Sequence, residues 1–175
     1  MSVDPRYPIG KFDKNIIVTP ELRKDFINTI ESLPADLKKE VEPLNDEQLN
    51  TRYREGGWTV KQVVHHLADS HMNSYVRFKL ALTEDNPTIK TYEEHLWAEL
   101  KDSFETPVSV SLTLIESLHT RWTVLLRSLT GEDFGKTIQH PELGNISLNW
   151  MLALYSWHCK HHLAHITELK KRMGW

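Results

Sequence analysis

The 175-residue sequence has one cysteine, seven glycines, no excess of basic charge and no long apolar run. A lone Cys159 excludes an intrachain disulfide and points to a reducing setting. The glycines form neither a phosphate-cradling loop nor a dinucleotide fingerprint, and the pair Gly56-Gly57 reads as a chain break. No stretch approaches the roughly 18 apolar residues of a membrane helix. The opening Met1-Ser2-Val3-Asp4-Pro5-Arg6-Tyr7-Pro8 lacks the apolar core of a secretory signal. Lys and Arg number 21 against 24 Asp and Glu, a net charge of −3, so no basic footprint for nucleic acid is expected. A cytoplasmic protein is therefore expected, neither a nucleic-acid binder nor a membrane protein.

What is present suits one globular domain over residues 1–175, with 39% hydrophobic and 26% charged residues and enough chain for a core. Residues 1–18 read as an irregular arm, given Pro5, Pro8 and Gly10. Thr19-Pro20-Glu21 is a helix start, because Thr caps, Pro suits the first position and Glu the first turn. Leu22, Phe26, Ile30 and Leu33 keep helical spacing until Pro34, which is expected to break or offset the helix before a second piece, Ala35 to Val41. A turn of helix is expected near Asn45–Leu49. Thr59 caps a long helix from about Val60 to Leu82, a short helix is expected within Tyr92–Leu100, and Thr106-Pro107 repeats the cap signal for a helix from about Val108 to Leu129. Lys136 to Ile146 reads as a small hairpin or loop, and Ser147 caps a last helix ending near Met173. Four long helices joined by long loops make an all-α four-helix bundle, a fold that builds ligand sites from side chains on facing helices.

Ten histidines are the marked excess. His158 and His162 stand four apart in the last helix, which places both on one face with Met151, Tyr155, His165 and Leu169. Two imidazoles so spaced can share a metal ion, but a tetrahedral site needs a further ligand. His66 is the candidate: it lies on a polar line of the Val60–Leu82 helix, with Gln62, Asp69, Asn73 and Arg77, beside the apolar side formed by Val63, Leu67 and Phe78. His71 lies about 140° round the helix from His66 and is not expected to join the same ion. Cys159 points about 100° away from His158 and reads as an unreactive thiol.

Three stretches carry a resemblance: Trp58-Thr59-Val60-Lys61-Gln62-Val63-Val64-His65-His66-Leu67-Ala68-Asp69-Ser70-His71-Met72-Asn73, Tyr75 to Glu84, and Trp157 to His165. Together they resemble the DinB/YfiT-like superfamily over nearly the whole chain. The likeness is to its YfiT branch, described as metal-dependent hydrolases by inference from the site and including the bacillithiol S-transferases of Firmicutes. The resemblance implies a four-helix bundle that is a cytoplasmic homodimer. It also implies one divalent ion per chain, zinc in the first place and nickel in the second, held by His66 (directly before Leu67), His158 and His162. Many DinB-like proteins carry Gly-Gln after the last ligand, where this sequence has Ala164-His165.

Three histidines leave an open coordination position. Water held there at a pKa of ~7 makes a hydrolase, and a thiol held there as thiolate makes an S-transferase. A third reading is a metal-binding module without catalysis. Asp69, one turn from His66, is the carboxylate expected to orient water, thiol or a ligand ring as a catalytic residue. Asn73 and Arg77 are the residues expected to bind an anionic substrate such as a low-molecular-weight thiol.

Overall fold

The computed structural model describes residues 4–175, so the part of the irregular arm at residues 1–3 lies outside the described residues. Four long helices carry the fold: α1 (Pro20–Val41), α3 (Val60–Thr83), α6 (Val108–Ser128) and α7 (Leu148–Met173). Three single turns, α2 (Asp46–Leu49), α4 (Glu94–Trp97) and α5 (Asp102–Glu105), lie in the connections. A hairpin of β1 (Thr137–His140) and β2 (Gly144–Ser147) leads into α7, with Thr137 paired to Ser147.

The helix starts follow from local chemistry. Thr19 caps α1 and Ser147 caps α7 through their hydroxyls, and Thr59 forms a reciprocal capping box with Gln62. Two expectations are corrected. Thr106 does not cap α6: Pro107 occupies the cap position without a side-chain bond, so Thr106 falls one residue too early. Pro34 does not break α1, which runs through it to Val41 as one helix. Leu33 and Leu37, buried on either side of the proline, hold the helix on the core.

α1 packs against α6 and α7, and α3 packs against the same two. Helices α1 and α3 therefore sit across one diagonal, and α6 and α7 across the other. The long α1–α3 connection permits this, because it need not join neighbours. The core is apolar bulk: Ile30, Leu37, Leu67, Phe78, Ile115 and Trp122 are all fully or almost fully buried. Phe78 of α3 meets Trp122 of α6 edge-on, ring centres 5.6 Å apart. The arm lies along α7, where Phe12 packs on Trp150 and the Trp157 indole donates to the Gly10 carbonyl. Trp150 is thus a packing residue, while Trp157 both holds the arm and stacks on His161. No helix of the described residues is long and apolar enough to cross a membrane.

The α3–α6 seam gives a direct test of this core. Phe78→Ala removes a fully buried ring and is expected to cost about 3–5 kcal/mol, read from urea denaturation midpoints.

Candidate metal centre

Three histidines converge where α3 and α7 face each other. One ligand nitrogen from each of His66, His158 and His162 lies within 4.8 Å of the other two. His66 Nε2 and His158 Nε2 are 3.2 Å apart. Two nitrogens each ~2.1 Å from a tetrahedral ion would stand ~3.4 Å apart, so the pair has the separation of co-ligands. The His162 ring centre is 4.7 Å from that of His66 and 4.4 Å from that of His158. The one-turn spacing on α7 supplies two rings, and the α3–α7 packing brings the third.

The electrostatics suit a cation. Burial lowers His66 from 6.5 to about 3, helped by nearby His161 and His165. Burial also holds His158 and His162 well below their ordinary value. All three are neutral near pH 7 and present lone pairs, the form that binds divalent ions. The donor set fits a borderline metal such as zinc or nickel. A second group, His161, His162 and His165, also lies within 4.8 Å, but it takes every ring from α7 and shares His162 with the first.

The centre opens into a pocket of about 860 Å³. Trp58 covers His66 at 4.6 Å, and Tyr155 lies 5.5 Å from His158. The Tyr155 hydroxyl donates to the Ser70 carbonyl at 3.2 Å. His161 and His165 line the wall, each lowered by burial to about 4, and His165 stacks on Tyr53 with ring centres 4.0 Å apart. Three arginines, Arg6, Arg54 and Arg77, border the pocket together with Glu93, Glu94 and Glu142. Gly57 gives the Arg54 side chain its path, since a Cβ there would sit 2.7 Å from Arg54 Cγ.

The family follows from this site and fold. The DinB superfamily profile matches residues 29–166. The chain belongs to the DinB superfamily. A Bacillus cereus protein named "Putative metal-dependent hydrolase" is 57% identical over 172 residues, covering 98% of this chain and 99% of its own. A Bacillus anthracis protein of the same name is 56% identical over the same coverage. The solved structure of YfiT from Bacillus subtilis, described as "a probable metal-dependent hydrolase with an unusual four-helix bundle topology", superposes with a TM-score of 0.94 at 53% identity, covering 98% of both chains. This DinB chain is thus a four-helix bundle of the YfiT kind.

The structure divides the other expected site residues. Arg77 reaches the pocket wall while donating to the Lys90 carbonyl at 3.1 Å. Asn73 does not line the pocket: its side chain bonds the Asp69 carbonyl. Asp69 does not line it either. Asp69 sits about 60° from His66 round α3, toward α5, whereas Ser70 turns toward α7. There burial, with Asp102 nearby, raises Asp69 to about 6. A catalytic carboxylate at Asp69 is therefore not supported by its position. Cys159 is buried, and burial pushes its thiol well up, as expected of an inert side chain. The residue missed altogether is His119 of α6, which is buried. Its place four after Ile115 and three before Trp122 was the available signal.

These depressed pKa values set a pH window for the metal-free protein. The unfolded chain takes up protons below about pH 6.5, whereas folded His66, His119, His161 and His165 resist until about pH 3 to 4. Stability should hold above pH 6.5 and decline steadily from there toward pH 4; urea midpoints across that range check it, and a flat profile contradicts it.

Proposed function

We propose that this protein is a divalent-metal-dependent hydrolase acting on a small molecule. The carrying observation is the convergence of His66, His158 and His162 beside a pocket of about 860 Å³. The names of its DinB relatives agree with this reading. When bound, one zinc or nickel ion per chain would supply Lewis acidity. The chain's own residues do the rest. His66, His158 and His162 hold the ion as neutral ligands. Trp58 shields the His66 face from water. Arg77, with Arg6 and Arg54, holds an anionic part of the substrate, in a role for which bidentate arginine contacts are suited.

A second reading, transfer of a low-molecular-weight thiol to an electrophile, is supported by the three arginines of the pocket wall, Arg6, Arg54 and Arg77. Hydrolysis benefits from a carboxylate base near the centre, whereas a thiol needs only to be held as thiolate. The arginines suit an anionic thiol equally well.

Zinc-loaded protein offered ester and amide substrates, and separately a thiol with a chromogenic electrophile, distinguishes the two. Turnover of the first set selects the hydrolase, turnover of the second the transferase, and turnover of neither leaves a binding module. His66→Ala should remove bound zinc by elemental analysis and lower kcat/KM by about 100-fold or more in whichever assay is active. Arg77→Ala should raise KM roughly tenfold with kcat little changed, the pattern of lost ground-state binding.

A further inference from the structure

Two buried imidazoles have no part in the reading above. His71 of α3 and His119 of α6 are almost wholly inaccessible, at 0% and 1% exposure. They form a single file that ends on His158. His119 Nδ1 lies 2.6 Å from the Ile30 carbonyl oxygen, His119 Nε2 lies 2.7 Å from His71 Nδ1, and His71 Nε2 lies 3.0 Å from His158 Nδ1.

The direction of every bond in this file follows from its far end. A carbonyl oxygen only accepts, so His119 Nδ1 carries the hydrogen. A neutral imidazole has one N–H, so His119 Nε2 is bare and accepts from His71 Nδ1–H. His71 Nε2 is then bare and accepts from His158 Nδ1–H. That leaves His158 Nε2 with its lone pair, and this atom faces His66 Nε2 at 3.2 Å. Reversing any one ring would set two lone pairs, or two hydrogens, against each other in a buried place. The anchoring carbonyl is available for a reason visible in α1. The residue four places after Ile30 is Pro34, which has no N–H to give it.

We propose that His119 and His71 are positioning residues that fix His158 in the Nδ1–H tautomer and so present its Nε2 to the metal. This rests on the metal centre described above. Ligand histidines generally have their second nitrogen held by a carboxylate or carbonyl. Here two further rings carry that role to a carbonyl on another helix. The file touches α1, α6, α3 and α7 in turn, so it also ties the tautomer to the assembly of the bundle.

Nitrogen-15 histidine NMR on the full chain, without and with zinc, reads the tautomers directly. In the zinc-loaded protein His71 and His119 should both be neutral Nδ1–H rings, and His158 should carry its hydrogen on Nδ1 with Nε2 shifted by the metal. His71→Leu should weaken zinc binding about 10–100-fold in competition with a chromogenic chelator, with an unchanged far-UV spectrum. His71→Gln, whose amide can both accept and donate, should recover part of that loss. Hydrogen on Nε2 of His71 or His119 overturns the proposal, as does wild-type zinc affinity in a folded His71→Leu. If the Leu variant does not fold, the wild-type tautomers decide alone. Zinc that leaves the His66, His158 and His162 signals unmoved removes the metal centre itself, a failure distinct from a wrong tautomer at a site that binds.

Discussion

A nitrogen taken out of water is costly without a partner, and this bundle supplies a continuous run of partners to three imidazoles at its centre. Their hydrogen bonds run from the Ile30 carbonyl through His119 and His71 to His158. Apolar burial around Phe78, Ile115 and Trp122 supplies most of the stability, but it is non-directional. The imidazole file is directional. A helix rotated or shifted by one residue would leave a buried ring nitrogen without its partner, whereas leucines in the same place would tolerate repacking.

The site inherits its geometry from that arrangement. α7 supplies His158 and His162 by its one-turn repeat, and α3 supplies His66 on the face turned toward α7. The pocket above them has walls of a different origin. Arg6 comes from the arm, Arg54 and Trp58 from the α2–α3 connection, Tyr92 and Glu94 from the α3–α6 connection, and His140 from the hairpin. A rigid floor on helices with walls on connecting segments is how one fold keeps a centre constant while changing what enters it.

Much of the fold was legible in advance. Threonine and serine caps marked three of the four long helices, and the ends of α3, α6 and α7 were legible to within a residue or two. Pro34 was misread because a proline's cost in a helix interior, about 3 kcal/mol, can be offset by packing on both sides, and packing is not local. Asp69 and Asn73 were drawn to the centre by sharing a polar line with His66. At 100° per residue this polar line is about 80° wide, and its two edges meet different neighbours: α5 on one side and α7 on the other.

The sequence by itself determined the helices, three of their four caps, the metal-binding chemistry of paired histidines and the family to which they belong, because all of these depend on residue type and on spacings within one segment. Only the tertiary structure decided that α3 brings His66 against the paired histidines of α7, that Arg77 reaches the pocket and Asp69 does not, and that His119 stands two rings behind a ligand. Each of these is a relation between residues tens of positions apart, such as His71 and His119 or Ile30 and His119, set by how whole helices rotate against one another. Periodicity along one helix carries no record of that rotation.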